Sequence, residues 1–123
     1  MGAGKTTIGN LLAKALNFKF IDMDRLIEEK EKMTIKTIFE RKGEVYFRNI
    51  EKKHTLNKLQ DNKKVIALGG GAFINSVIRK EVLLKTLSFW IDIKPNTLIE
   101  RTSKSNKRPL IDNKNLKKDI YKI

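Results

Sequence analysis

The residues best suited to chemistry stand first in the chain. Gly4-Lys5-Thr6 fill the last three positions of G-x-x-x-x-G-K-[ST], inside the run Met1-Gly2-Ala3-Gly4-Lys5-Thr6-Thr7. Glycines there let backbone N–H groups curl around phosphate oxygens. The helix that follows adds its unpaired N–H groups and the positive end of its dipole. Lys5 can reach the β- and γ-phosphates, and the Thr6 hydroxyl can take one coordination position on Mg²⁺. The pattern's opening glycine and the strand that feeds the loop fall upstream of Met1. Read alone, the half pattern also fits a Gly-rich helix start that happens to contain Lys-Thr.

Further chemistry lies downstream. Asp22 and Asp24 flank Met23 after the apolar stretch Phe18-Lys19-Phe20-Ile21. In an extended segment both carboxylates point to one face, and Asp24 alternatively caps the next helix. Glu44, Arg48 and Glu51 stand at i, i+4 and i+7, so they share a helix face, as a surface ion-pair row also would. Gly69-Gly70-Gly71 follows a buried-strand pattern, exposing N–H groups to a ligand or forming a flexible turn. Arg108 stands before Pro109 in a polar, basic stretch that reads as a mobile loop. His54 carries no partner pattern.

Composition limits the chemistry. The 123 residues suit one domain with a modest core, and the chain has no cysteine for a disulfide, thiolate nucleophile or Cys-based metal site. No apolar run reaches membrane-spanning length and no signal peptide precedes the first element, so a soluble cytoplasmic protein is expected. Lys+Arg number 27 against 14 Asp+Glu, a net charge of +13. That excess suits a nucleic-acid surface or an anionic small substrate. The basic residues are spread along the chain without a recognition-helix or RNP-like aromatic pattern, so most read as solvated helix faces.

The elements that must position these residues follow from periodicity. Helices are expected over 6–16, 25–32, 34–41, 44–60 and 76–85, with strands over 18–21, 65–68 and 88–93. Ile8, Leu11, Leu12, Ala15 and Leu16 form the apolar side of the first helix, which Asn17 stops. Thr34 caps the third helix, Ile35, Ile38 and Phe39 face inward, and Gly43 ends it. A further helix is expected over 95–102 with Pro95 near its start, and another begins at Leu116. Strand and helix alternating around a phosphate loop mean an α/β fold with a mostly parallel sheet.

GAGKTT, FIDMD, GEVYFRNIE, GGG and KRPLI occur in this order along the chain. Together they resemble the shikimate kinase family, small P-loop kinases of the nucleoside-monophosphate-kinase type, over essentially the whole length. The resemblance implies a three-layer P-loop kinase fold of one domain, 1–123, with a lid at about 103–115. It implies transfer of the ATP γ-phosphoryl group to the shikimate 3-hydroxyl in aromatic amino-acid biosynthesis, with ATP and Mg²⁺ as cofactors. Carried over by position, Gly2, Ala3, Gly4, Lys5, Thr6 and Thr7 cradle phosphate, Thr6 ligates Mg²⁺, and Asp22 holds the ion's water shell. Asp24 accepts hydrogen bonds from shikimate hydroxyls and orients the attacking oxygen. Arg48 pairs with the shikimate carboxylate, Glu51 orients Arg48, and the amides of Gly70 and Gly71 contact the substrate. Arg108 is similar to the lid arginine over the phosphates, and Arg101 to a position that packs on adenine.

Departures from the family matter too. Its strand order is 2-3-1-4-5, and the first, central strand is lacking here, as is the last. The strands at Val65 and Ser88 would then have no partner between them, at a cost of several kcal/mol for unsatisfied backbone groups. The helix bearing the second carboxylate-binding arginine and the adenine-contacting loop also lie past the end of the sequence. Met1 falls where relatives often carry an internal methionine, so the chain is expected to be part of a longer gene product, with impaired activity as it stands. A monomer acting on a small molecule is expected, without membrane or nucleic acid. The competing readings are another small-acceptor P-loop kinase, such as a gluconate kinase, and a non-catalytic phosphate- or nucleic-acid-binding remnant.

Overall fold

A computed structural model describes residues 4–94 together with Asn96. Their elements run α1 (Lys5–Leu16), β1 (Lys19–Asp22), α2 (Met23–Glu31), α3 (Ile35–Lys58), β2 (Lys64–Ala67), a 3-10 turn (Ala72–Ile74) and α4 (Ser76–Lys85). β1 and β2 pair in parallel, with Lys19 opposite Lys64, Phe20 opposite Val65, Ile21 opposite Ile66 and Asp22 opposite Ala67. A parallel pair needs a long crossover, supplied here by α2 and α3. The architecture is α/β, as expected, with two strands among the described residues.

Asn17 ends α1 in a left-handed conformation, φ 54°, and its N–H returns to the carbonyls of Ala13 and Lys14. Against expectation, the apolar row Ile8, Leu11, Ala15 and Leu16 is exposed; the helix buries Gly9 and Ala13 instead. A Cβ on Gly9 would lie 2.3 Å from Phe20 Cε2, so only glycine lets α1 sit this close to β1. The two-stranded sheet offers α1 a narrow bed, and the rest of its apolar stripe has nothing to face among the described residues.

α2 begins at Met23, one residue after β1 ends, so Asp24 is helical and not part of an extended segment. The cap is Asp22, not Asp24. Asp22 Oδ1 accepts from the backbone N–H groups of Asp24 (3.1 Å) and Arg25 (3.4 Å). Thr34 caps α3 as expected, its Oγ1 accepting from the N–H of Thr37. Gly43, expected to end one helix before another begins, breaks α3 with φ 80° and ψ 170°, and the helix resumes beyond it as a kinked continuation.

The main core joins α2 to α3. Ile27 and Ile38 are fully buried and Phe47 nearly so, with Phe39 and Phe47 ring centroids 4.8 Å apart. Burying side chains of this size contributes about 1.5–3 kcal/mol each. A smaller core gathers Ala72, Ile78 and Val82 with Leu59 and Leu68. Asn75 caps α4 through its Oδ1, matching the expected helix at Ser76–Lys85.

The strand expected over 88–93 does not form. Leu87, Phe89 and Trp90 are exposed, Trp90 at 90%. A strand needs a neighbour for its backbone groups, and among the described residues β2 pairs with β1 alone. The expectations for Gly2, Ala3, Arg101, Arg108, the lid at about 103–115, and the helices at 95–102 (Asn96 apart) and 116–123 lie outside the described residues.

Candidate functional site

Two clusters form where β1 and β2 end side by side. The first gathers the start of α1. Gly4 takes φ 77°, a conformation that favours glycine, and delivers the chain into the helix at Lys5. Gly4 is the N-cap position and has no side chain to offer the first helical N–H groups. Thr6 Oγ1 donates a hydrogen bond to Asp22 Oδ2 at 2.8 Å. Asp22 therefore divides its oxygens: Oδ2 holds the start of α1, and Oδ1 caps α2. Since Thr6 spends its proton on Asp22, its lone pairs remain for an electrophile.

The second cluster joins α2, α3 and the turn after β2. Asp24 comes from the first turn of α2 and Arg48 and Glu51 from α3 beyond the Gly43 kink. Arg48 Nη1 donates to Glu51 Oε2 at 2.8 Å, while Nε and Nη2 reach Glu44 Oε1 at 3.3 Å. The row expected from spacing exists, running from exposed Glu44 inward to Glu51, which is 2% exposed. Arg48 also stacks 5.3 Å from the Phe47 ring centroid. Burial works against the charge on Arg48, but hydrogen bonds and attraction from Glu51 and then Glu44 outweigh it and hold its pKa above the ordinary arginine value. The guanidinium is held as a fixed cation.

Gly69 and Gly71 close this cluster. A Cβ on Gly69 would meet Asp24 Oδ1 and Glu51 Oε1, each at 2.9 Å, and one on Gly71 would meet Arg48 Nη2 at 2.7 Å. Gly70 faces open space. The structure thus brings Asp24, Arg48, Glu51 and the glycine run together, with Thr6 and Asp22 beside them at the neighbouring strand end. The contact of Gly69 with two carboxylates, and the close fit of Gly9, were missed in the sequence; the uninterrupted glycine triplet was the available signal for the first. His54 stands apart, in a groove of α2 and α3 with Lys30, Lys53 and Lys58.

Comparison with known proteins places the chain among relatives. The family model described as shikimate kinase matches residues 1–123. A shikimate kinase of Sulfurihydrogenibium sp. is 43% identical over all of this chain and 71% of its own length. One from Zymomonas mobilis is 47% identical over 90% of this chain and 63% of its own. The chain spans 56–71% of the length of these and similar curated relatives. Among solved structures, a shikimate kinase from Acinetobacter baumannii in complex with shikimate superposes with TM-score 0.94 at 35% identity, covering all of this chain and 70% of that one. One from Aquifex aeolicus gives 0.81 at 34% identity, covering all of this chain and 76% of that one. The P-loop kinase fold is shared, and both structures are longer.

Proposed function

The chain belongs to the shikimate kinase family, and from that premise we propose that it serves ATP-dependent phosphorylation of the shikimate 3-hydroxyl. The observation carrying this reading is the Asp24–Glu51–Arg48 cluster packed on Gly69 and Gly71 beside the Thr6–Asp22 pair. A hydroxylated carboxylic acid needs an anion for its hydroxyls and a rigid cation for its carboxylate, and the cluster offers both.

In this reading Arg48 pairs with the carboxylate in a fork-to-anion match, held by Glu51. Asp24 accepts from the hydroxyls, orients the attacking oxygen and takes its proton. The amides of Gly70 and Gly71 contact the acceptor. Gly2 to Thr7 wrap the phosphates, with Lys5 on the transferring group. Arg108 closes over the phosphates and Arg101 packs on adenine, both by resemblance. The donor set of Thr6 and Asp22, hard oxygens 2.8 Å apart with the hydroxyl proton turned inward, fits Mg²⁺ held jointly with phosphates and water. The ion, when bound, supplies positive charge at the phosphate oxygens. The reading extends to a cytoplasmic monomer; no helix among the described residues is long and apolar enough to cross a membrane.

The test is ADP release with and without shikimate, beside calorimetric titration of each ligand and a screen of other small hydroxy acids. Shikimate binding and shikimate-dependent release are expected, with release weaker than from a chain of its relatives' full length. ADP release indifferent to shikimate, together with no shikimate binding, would end the proposal; preference for gluconate would redirect it.

A further inference from the structure

We infer that Gly69 is a positioning residue, whose missing Cβ sets how far Asp24 stands from the Glu51–Arg48 pair and so matches the site to its acceptor. The inference rests on the acceptor reading above and adds a residue to it.

Neither Gly69 nor Gly71 takes a positive φ; among the described residues only Gly4 and Gly43 do so within the glycines. Gly71 has φ −97° and ψ −8°, which any residue adopts. Glycine is therefore not required at these positions by backbone conformation. Space is the remaining requirement. A Cβ on Gly69 would lie 2.9 Å from both Asp24 Oδ1 and Glu51 Oε1, closer than carbon and oxygen tolerate. Both oxygens border the space that a Cβ would fill, so the bare Cα leaves room for the two carboxylates at this point.

What yields to an added methyl group is the tips of two side chains, not the backbone. Glu51 is buried and tied through Oε2 to Arg48 Nη1, so pushing Oε1 turns the carboxylate and drags the guanidinium. Arg48 already lies against Gly71, with Nη2, Nη1 and Cζ at 2.7, 2.8 and 3.0 Å from its Cβ position, so it has little room to follow. Gly69→Ala therefore changes the separation of the hydroxyl-binding and carboxylate-binding groups while leaving the phosphate end alone. Gly70, whose Cβ would meet nothing, is the internal contrast.

Two measurements test this. In ligand-free protein, the side-chain carboxyl carbon resonances of Asp24 and Glu51 and the Arg48 Nε resonance are compared in the parent, Gly69→Ala and Gly70→Ala. Movement in Gly69→Ala and not in Gly70→Ala is expected; no movement, or equal movement in both, overturns the inference. Calorimetry then reads shikimate and MgATP separately. Gly69→Ala is expected to weaken shikimate by roughly tenfold or more, with MgATP changed less than about twofold and the melting temperature nearly kept. Equal shikimate affinity, or parallel loss of both ligands with early melting, overturns it. A parent that binds no shikimate defeats the acceptor reading instead, and the resonances still judge the spacing.

Discussion

The two ends of the site are built differently. The proposed phosphate end is nearly local among the described residues: Gly4, Lys5 and Thr6 are consecutive, and Asp22 reaches Thr6 from the end of β1. The proposed acceptor end is assembled from α2, α3 and the turn after β2, around a buried carboxylate. A local device depends on helix-start chemistry that any stable helix provides. An assembled one depends on the α2–α3 core that fixes its walls. Damage to that core should reach the acceptor long before it reaches phosphate.

The largest expected effect separates the ends by chemistry. Lys5→Ala removes the cation proposed to sit on the transferring phosphoryl and should lower turnover by about 10²–10³-fold or more. Shikimate affinity should stay the same in calorimetry; a parallel loss would show that the ends are one unit. Ile38→Ala attacks the α2–α3 core at a fully buried position and should cost about 2–5 kcal/mol in urea unfolding. Arg48→Ala should weaken shikimate binding and leave the MgATP titration intact. It also removes the Nη1 donor to buried Glu51, so a stability loss of about 1–3 kcal/mol is expected in the same unfolding assay. An Arg48→Ala protein with normal shikimate affinity would dissolve the distinction between the ends.

The smallest effect is a control outside both ends. Burial pushes the pKa of His54 below 6.5, helped by Lys53, Lys30 and Lys58 and opposed by Glu31. The unfolded chain then takes up the proton first as pH falls. The stabilising contribution is complete above pH 6.5 and is lost as pH drops through the folded pKa. Urea midpoints at about pH 7.5 and 5.5 should differ by less in His54→Gln than in the parent, with ligand affinities unmoved.

Much of this was legible in the residues. Thr34 and Asn17 bounded their helices because capping is local chemistry, and Ser76–Lys85 came out with its observed limits. The α/β class followed from alternation, and Glu44, Arg48 and Glu51 met because helical spacing dictates it. Other expectations failed where a distant surface decides. Asp24 read as a cap and as part of an extended pair, yet Asp22 caps, because β1 and α2 join without a loop. The apolar stripe of α1 and the segment 88–93 had the pattern of buried elements and stayed exposed.

The sequence by itself determined the pieces whose energetics act over a few residues: the glycine turn into α1, the helix caps, the i, i+4 ion row and the period of each element. Only the tertiary structure decided that Glu51 is buried, that Gly9 rests on Phe20, and that two carboxylate oxygens border the bare Cα of Gly69. The reason is physical. Hydrogen bonds of caps and turns are satisfied within one stretch of chain, whereas burial and close packing exist only when a second surface arrives from far along it.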